Sequence, residues 1–283
     1  MGIQFKKVSY AYRGVKNERY EAIVDVDLDI TEGEFIAIVG HTGSGKTTLV
    51  QHMNALLQPS KGEVHIFEHV LPRKHKRDKI GPIRKRVGLV FQFPEYQLFE
   101  ETILKDIMFG PKNFGLTDKE AEEKARYAAE LVGIGEDLLD KSPFRISGGQ
   151  MRRVAVAGIL SMEPDVLVLD EPTRGLDPQG ALDIMKLFKR MHTEFGKTVI
   201  LVSHDMDLVT EYASRIIVMD EGKIVFDGSR HDLFMNENFE DFHLGKPRAF
   251  ELMEYLSTKL NIPFKDVYDE EELIQYLKEV YHE

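Results

Sequence analysis

Hydrophobic and polar residues follow a strand-like pattern in two stretches near the start of the chain. One is residues 3–12, and in the other, residues 22–30, apolar side chains alternate with Asp25, Asp27 and Asp29. A period of two is typical of a β-strand with one buried face and one solvated face. We therefore expect two half-buried strands before residue 31.

Continuous apolar runs replace this alternation further along the chain, and helical patterns lie between them. The runs occupy residues 35–39, 166–169, 199–202 and 216–219. The helical stretches occupy residues 47–57, 150–161, 181–195 and 206–214. Such runs are typical of strands covered on both faces, and their alternation with helices is typical of a parallel sheet. The pattern predicts the α/β fold class.

The middle of the chain has a different organisation. Residues 117–132 are predicted to form a helix that begins with a capping box of Thr117 and Glu120. Turns that contain Gly and Pro flank this helix. We interpret residues 95–141 as an inserted helical segment and place the helical subdomain at about 95–164.

The last part of the chain carries no recognised motif. A hairpin signal at Glu221-Gly222 precedes it, and residues 232–283 show helical patterning. The sequence therefore divides into a main domain, residues 1–231, and a C-terminal extension, residues 232–283.

Length and composition indicate a folded protein. The chain has 283 residues, of which 42% are hydrophobic and 30% charged, as in ordinary globular domains. The longest apolar run without a charge is residues 154–162, whereas a membrane-spanning helix needs about 18 such residues. Residues 1–10 lack the apolar core of a signal peptide. We expect a chain that is neither secreted nor membrane-spanning.

Cysteine content and charge exclude several classes of function. The chain has no cysteine, which excludes disulfides, thiolate catalysis and cysteine-ligated metal sites. The formal net charge of −11 argues against bulk attraction to nucleic acid or to an anionic membrane. Residues 73–86 are strongly basic and residues 266–283 mostly acidic. We interpret both tracts as solvated faces.

A Gly-rich turn at residues 40–47 matches the phosphate-binding pattern G-x-x-x-x-G-K-[ST] and lies between a predicted buried strand and a predicted helix. Backbone N–H groups and the helix dipole would hold a β-phosphate. Lys46 would bridge the β- and γ-phosphates, and the Thr47 hydroxyl would ligate Mg²⁺. The candidate binding residues are Gly40, His41, Thr42, Gly43, Ser44, Gly45, Lys46 and Thr47.

Two carboxylates follow the buried run at residues 166–169. Asp170 and Glu171 stand at the C-terminal end of a predicted parallel strand, where open α/β sheets place their ligands. Asp170 would hold Mg²⁺ or its water, and Glu171 would lie near the γ-phosphate and polarise the attacking water. Together with the loop at residues 40–47, this pair is strong evidence for a nucleotide-hydrolysing site.

Two further polar residues follow apolar runs. His204 ends the run around residues 199–203, so it would point towards the nucleotide end of the sheet. Gln92 follows residues 87–91 and would offer an amide oxygen to Mg²⁺ or to the attacking water. The alternatives are a capping or packing role for His204 and a solvent-facing amide for Gln92.

The residues Ile-Ser-Gly-Gly-Gln at 146–150 form a second Gly-rich turn at the start of a helix. This turn predicts a second anion-binding helix N-terminus, although one nucleotide does not need two. We therefore expect two protomers to pair head to tail, so that the Ser147 turn of each completes the γ-phosphate shell of its partner's ATP.

These motifs resemble those of the ATP-binding-cassette ATPases, in matching order and spacing, over residues 1 to about 230. They are the Walker A loop at 40–47, the Q-loop at Gln92, the signature Ile146-Ser147-Gly148-Gly149-Gln150, the Walker B strand at 166–171, the D-loop Gly175-Leu176-Asp177 and the H-loop His204. The sequence departs from the family pattern at two positions. Ile146 stands where Leu is usual, and Arg174 precedes the D-loop where a small residue is common.

The resemblance implies a P-loop cassette with a mainly parallel core sheet, an N-terminal antiparallel subdomain and a helical subdomain, with ATP and Mg²⁺ as cofactors. It implies that Tyr12 stacks on adenine, that Glu171 is the catalytic base and that His204 contacts the γ-phosphate. Lys46 and Gln92 would also take part in catalysis. Further nucleotide contacts would come from Thr48, Ser147, Gly148, Gly149, Gln150 and Asp177, and the metal ligands would be Thr47, Gln92 and Asp170.

Residues 91–99 and 109–113 narrow the resemblance to the ATPase subunits of energy-coupling factor transporters, which import vitamins and transition-metal ions. This family pattern includes a C-terminal extension like residues 232–283. It implies a second ATPase subunit, identical or paralogous, and a membrane T component that carries a substrate-binding S component. The chain would then lie peripherally on the cytoplasmic face of the cell membrane.

The same resemblance predicts a docking groove. Residues 97–99 would receive the coupling helices of the T component, and we expect Tyr96, Leu98 and Phe99 to be exposed there. The alternative is that these residues cap the core of the helical subdomain.

Two rival functions are less consistent with the sequence. Cassette ATPases that act on DNA ends or ribosomes usually carry a long coiled coil between Walker A and signature, or two cassettes in one chain, and this chain has neither. With the acidic net charge, this argues against a nucleic-acid partner. A regulatory module without turnover would be expected to lack Glu171 or His204, and both are present.

Overall fold

The computed structural model describes residues 2–14, 18–73 and 79–281. Its strands are β1 (Ile3–Arg13), β2 (Arg19–Ile30), β3 (Phe35–Val39), β4 (Lys61–Ile66), β5 (His69–Leu71), β6 (Val87–Val90), β7 (Val166–Asp170), β8 (Thr198–Val202), β9 (Arg215–Asp220) and β10 (Lys223–Gly228). Its α-helices are α1 (Lys46–Met53), α2 (Gly81–Arg86), α3 (Ile103–Asn113), α4 (Asp118–Leu131), α5 (Glu136–Leu139), α6 (Gly148–Leu160), α7 (Pro178–Thr193), α8 (Met206–Tyr212), α9 (Arg230–Phe234), α10 (Arg248–Leu260) and α11 (Glu270–Tyr281). Short 3₁₀ helices occupy Pro94–Gln97, Pro143–Arg145 and Phe239–Phe242.

The larger sheet has the strand order β10-β9-β3-β8-β7-β6. Strands β9, β3, β8, β7 and β6 run parallel, and β10 pairs antiparallel with β9 through the predicted hairpin. Every residue of β3, β7 and β8 is buried. This confirms the α/β class and explains the continuous apolar runs, because both faces of the sheet are covered.

Alternate residues of the central strands pack into two different hydrophobic cores. In β3, Phe35, Ala37 and Val39 face the larger cluster, which includes residues of α4, α6 and α7. Ile36 and Ile38 face a second cluster with α1 and the antiparallel sheet. Successive side chains of a strand point to opposite faces, so one apolar run serves both cores.

The second sheet is antiparallel, with the order β2-β1-β4-β5. Its first two strands are the predicted half-buried pair, and Ile3 lies opposite Ile30 in the register. Strands β4 and β5 were not among the predicted elements. Val64 of β4 is buried because it lies opposite Phe5 of β1.

Each of the helices predicted with bounds is present, with shifted ends. The Thr117–Glu120 capping box precedes α4 as predicted. Helix α1 ends at Met53, four residues before the predicted end, because Ala55 adopts a φ of 57°, which no α-helix accommodates. In the described chain, no helix combines the length and apolar character that crossing a membrane requires.

The expectation that Leu98 is exposed was wrong. Leu98 is only 8% exposed and belongs to the larger core, where Ile103 and Ile107 of α3 also lie. The 3₁₀ helix Pro94–Gln97 directs Leu98 inward, whereas Tyr96 and Phe99 on either side are 83% and 57% exposed. The alternative, that these residues cap the subdomain core, therefore holds for Leu98.

The C-terminal extension packs against the rest of the chain and also forms a small core of its own. Phe250 of α10 and Tyr268 lie in the larger cluster. The separate cluster consists of Ala249, Met253, Ile262, Val267, Leu273 and Tyr276. The division at residue 231 and the subdomain limits of about 95–164 stay predictions.

The two charged tracts are described only in part. Residues 74–78 of the basic tract and residues 282–283 of the acidic one lie outside the described residues. Lys79 and Lys85 are exposed, as expected of a solvated face. Arg86 instead pairs with Asp165 at 2.5 Å and with Glu68 at 2.9 Å.

Candidate nucleotide-binding site

The Gly-rich turn connects the end of β3 to the start of α1. Gly40 and Gly45 have φ values of 140° and 105°, which residues with side chains rarely adopt. A Cβ atom at Gly40 would lie 2.2 Å from the Met219 carbonyl oxygen, and one at Gly45 would lie 2.4 Å from the Ala22 carbonyl oxygen. Glycine is therefore required at both positions. No side chain caps α1 at Gly45.

Lys46 folds back over this turn. Its Nζ donates hydrogen bonds to the carbonyl oxygens of Gly40 at 2.7 Å and His41 at 2.8 Å. Burial lowers the pKa of Lys46, and the charges of Glu171 and Asp170 oppose that shift. The ammonium group thus lies close to both the loop and the two carboxylates.

Thr47 and Asp170 meet at the bottom of the site. The Thr47 hydroxyl donates to Asp170 Oδ2 at 3.0 Å. Asp170 is buried at the end of β7, and this burial raises its pKa. A hydroxyl, a buried carboxylate and the nearby Gln92 amide are hard oxygen donors, the kind that Mg²⁺ prefers. These residues therefore fit a magnesium ion.

Glu171 and His204 come from the ends of neighbouring strands and contact each other directly. His204 Nδ1 lies 2.8 Å from Glu171 Oε1, and because a carboxylate only accepts, Nδ1 carries the hydrogen. The Glu171 backbone has a φ of 51°, and its N–H donates to the Val202 carbonyl at 2.9 Å. This unusual backbone conformation is tied to β8 and so fixes where the carboxylate stands.

The Gln92 side chain contacts another residue, in contrast to the alternative interpretation of a solvent-facing amide. Its amide oxygen accepts hydrogen bonds from Arg174 Nε at 3.0 Å and Nη1 at 2.8 Å. The amide orientation is assigned from these bonds, since oxygen faces the two donors. The Gln92 side chain is thus held on the wall of the site.

These residues line two adjoining cavities. The first, about 270 Å³, is lined by Tyr12, Thr42, Gly43, Gly45, Lys46, Thr47, Thr48, Gln92, Asp170, Glu171 and Arg174 among others. The Tyr12 hydroxyl lies 3.3 Å from Thr48 Oγ1. The second, about 590 Å³, shares Lys46, Glu171 and Arg174 and adds Gly40, His41 and His204. Ser44 is fully buried beneath the loop.

The signature turn lies at a different place. Ser147 caps α6 in a capping box with Gln150, and it lines a third cavity of about 440 Å³ together with Gly149 and Asp177. A Cβ atom at Gly148 or Gly149 would meet no atom within 4 Å beyond its chain neighbours and its own helix backbone, so this turn is open to a ligand or partner. Lys46 and Ser147 line separate cavities, as the predicted pairing of two protomers requires.

The motifs did not reveal two features near the site. Arg152 is 3% exposed and bonds to Glu95 and to the carbonyl oxygens of Pro172 and Arg174. The turn at residues 243–245 of the C-terminal extension lines the second cavity beside His204. No local sequence pattern marks either feature, because both depend on contacts between distant parts of the chain.

The comparisons with known proteins agree with this geometry. A family model described as ABC transporter matches residues 23–174. The energy-coupling factor transporter ATP-binding protein EcfA2 of Ligilactobacillus salivarius (strain UCC118) is 48% identical, and the match covers 98% of this chain and 98% of that protein. The similarity therefore extends through the C-terminal extension.

Two solved structures are similar in fold. The cbiO1 protein from Clostridium perfringens, described as part of the ABC transporter complex cbiONQ, has a TM-score of 0.72 and 35% identity, covering 92% of this chain and 95% of that chain. The dimeric ATP-binding cassette MJ0796, in a post-hydrolysis state bound to ADP and Pi, has a TM-score of 0.72 and 30% identity, covering 80% of this chain and 98% of that chain.

Proposed function

We propose that this chain powers uptake of a vitamin or a transition-metal ion. The chain belongs to the ABC transporter family and is an ATP-hydrolysing subunit of an energy-coupling factor type importer. One observation carries the catalytic part of this proposal. Lys46, Thr47, Asp170 and Glu171 converge in one cavity at the carboxyl ends of β3 and β7. Open α/β sheets bind their ligands at this end of the strands.

In the proposed site, the loop N–H groups and Lys46 bind the β- and γ-phosphates. Tyr12 stacks on the adenine, and Thr48 lies beside it. Thr47, Asp170 and Gln92 would hold Mg²⁺, which supplies positive charge at the phosphates when it is bound. Lys46 gives up its contacts with the Gly40 and His41 carbonyls when a phosphate oxygen, the stronger acceptor, is present.

Glu171 is the proposed general base. It takes a proton from the attacking water, with one carboxylate oxygen held by His204 and the other left for the water. His204 lines the same cavity as Lys46 and Gly40, so it would also contact the γ-phosphate. The fixed backbone of Glu171 keeps the base in place without reorganisation during the reaction.

The active unit in this proposal is a dimer, because the site of one protomer is incomplete. Ser147, Gly149 and Asp177 line a cavity separate from that of Lys46. Together with Gly148 and Gln150 they would complete the γ-phosphate shell of the partner. The dimeric cassette MJ0796 supports this arrangement by its similarity in fold. The partner ATPase is either a copy of this chain or a paralogue.

The proposed membrane partner docks on the helical side of the molecule. A groove of about 370 Å³ is lined by Gln97, Leu98, Phe99, Phe109 and Phe114 among others, with Phe99 and Phe109 packed edge to face. Leu98 is buried and forms part of the inner wall of the groove. We therefore infer that the exposed Phe99, and not Leu98, makes the contact with the membrane component. We infer that the T component, which carries the S component, binds here and keeps the chain on the cytoplasmic face of the membrane.

Purification of the tagged chain from its own membranes tests the function. We expect two membrane proteins to co-purify, together with a paralogous ATPase if the partner is not a second copy of this chain. The complex should release phosphate from ATP when Mg²⁺ is present. Recovery of the chain without membrane proteins, or a complex that hydrolyses no ATP, would overturn the proposal.

A further inference from the structure

Arg174 is bonded through both its side chain and its backbone. Its guanidinium donates two hydrogen bonds to the amide oxygen of Gln92, and its carbonyl oxygen accepts one from Arg152 Nη1 at 2.7 Å. Arg152 in turn donates to the two carboxylate oxygens of Glu95 at 3.0 Å and 2.9 Å. Glu95 lies three residues after Gln92, so these four residues form a closed ring.

The two sides of this ring differ in their freedom to move. Arg152 and Glu95 form a buried ion pair whose side chains are 4% and 15% exposed. Separating such a pair leaves an uncompensated charge in the interior, which is strongly unfavourable. Arg174 is exposed, and its bonds to the neutral Gln92 amide are the weaker ones. The Gln92–Arg174 side is therefore the part of the ring that can open.

The amide oxygen of Gln92 is hydrogen-bonded to Arg174 in this structure. A carbonyl oxygen has two lone pairs, and two N–H groups of Arg174 approach this one. This is the oxygen that Gln92 would offer to Mg²⁺ in the proposed site. Arg174 and the metal therefore compete for the same atom.

The position of Arg174 gives its guanidinium an alternative acceptor. Arg174 lines both the cavity that contains Thr47 and Asp170 and the adjoining cavity that contains His204. A phosphate in either cavity is a stronger acceptor for a guanidinium than an amide oxygen is, and it can bind two N–H groups at once. A bound nucleotide would thus accept the Arg174 guanidinium when a metal ion takes the Gln92 oxygen.

We propose that Arg174 is a positioning residue that holds Gln92 away from the metal position until ATP and Mg²⁺ are bound together and then releases it. This inference rests on the proposed function of the site. Residues 97–99 of the docking groove begin two residues after Glu95 and five residues after Gln92. Release of Gln92 therefore also changes the restraint on the segment that leads to the groove.

The test measures how much Mg²⁺ strengthens ATP binding, in the complex purified with its partner ATPase. The quantity is the ratio of ATP dissociation constants in EDTA and in Mg²⁺. Arg174→Ala should raise this ratio about fivefold over the unmodified protein, the order expected when one competing hydrogen-bonded contact is removed. Arg174→Lys, which keeps the charge but cannot form the two-pronged bond, should give an intermediate ratio.

A double-mutant cycle separates this role from a structural one. In a Gln92→Ala background, Arg174→Ala should leave the ratio unchanged, because the competed oxygen is gone. Arg190→Ala is the matched control, since Arg190 is an exposed arginine of α7 that pairs with Glu194 outside the site. Arg174→Met replaces Arg174→Ala if the alanine variant does not fold.

The outcomes distinguish the two proposals. If Arg174→Ala changes the ratio equally with and without Gln92, the positioning role is overturned and the proposed function stays intact. The same holds if the ratio of Arg174→Ala equals that of the unmodified protein. A complex that binds no ATP under either condition would overturn the proposed function, and this inference with it.

Discussion

His204 and Glu171 are joined by a 2.8 Å contact between the ends of the neighbouring parallel strands β8 and β7. The two residues are 33 positions apart in sequence, yet the pairing of Asp170 with Val202 sets their distance. The backbone N–H of Glu171 donates to the carbonyl of that same Val202. The position of the proposed base is thus a consequence of strand register, and a change in the register would move it.

Replacement of the proposed base should separate ATP binding from turnover. Glu171→Gln keeps the shape of the side chain but cannot accept a proton from water, so we expect ATP binding to persist and turnover to fall by roughly 10² or more. Binding and phosphate release are measured on the same preparation. Glu130→Gln, at an exposed position of α4, is the control and should hydrolyse normally. Near-normal turnover by Glu171→Gln would rule out the assignment.

The groove should respond differently to two adjacent substitutions. Phe99 is exposed, so Phe99→Asp should leave the chain folded and able to bind ATP but abolish assembly with the membrane component. Leu98→Asp places a charge in the core and should prevent folding. Circular dichroism and co-purification distinguish the two effects. Intact assembly of Phe99→Asp would contradict a docking site in this groove.

Stability should depend on pH through His52. This residue is fully buried, its Nδ1 lies 2.7 Å from the Thr48 carbonyl oxygen, and burial lowers its pKa below the ordinary value of 6.5. In acid the unfolded chain therefore binds this proton before the folded one does. The contribution to stability is complete above pH 6.5 and is lost as the pH falls below that value.

Urea unfolding at pH 7 and pH 5 measures this effect. The unmodified chain should lose about 1 kcal/mol more of its free energy of unfolding between these pH values than His52→Asn does, because one proton is worth about 1.4 kcal/mol per pH unit. The Asn amide can still donate to the Thr48 carbonyl and carries no titrating group. Equal losses in the two proteins would show that His52 does not titrate in this way.

Local patterns in the sequence were sufficient to predict the central strands and the phosphate-binding loop. The apolar run at residues 35–39 coincides with β3, since the sheet is covered on both faces and every residue must be apolar. The glycines of the loop are required by the backbone itself, since Gly40, Gly43 and Gly45 have positive φ values that residues with side chains rarely adopt. Such constraints act within a few residues and are readable from the chain.

Long-range pairing explains what the sequence did not reveal. Strand β4 has few apolar residues, and it is a strand because it pairs with β1 about 60 positions away. Arg152 and Glu95 are 57 positions apart, so no local pattern marks their ion pair. The burial of Leu98 between exposed Tyr96 and Phe99 depends on where α3 packs, which periodicity does not determine.

The central claim, an ATPase whose sites are shared between two protomers, is tested most directly by complementation. Lys46→Ala removes the phosphate-binding lysine, and Ser147→Arg blocks the signature turn. If the partner is a second copy, each variant alone should be inactive, and a mixture that exchanges subunits should regain hydrolysis, because one of the two sites in a mixed dimer is intact.

If the partner is a paralogue, the chain alone should hydrolyse ATP poorly, and adding the paralogue should restore activity. Ser147→Arg in this chain should then remove the share of that activity that comes from the paralogue's site. Phosphate release per protomer is the measurement in both cases. The account predicts recovery of hydrolysis only when an intact Lys46 and an intact Ser147 can meet across an interface. Full hydrolysis by a strictly monomeric preparation, unaffected by Ser147→Arg, would contradict it.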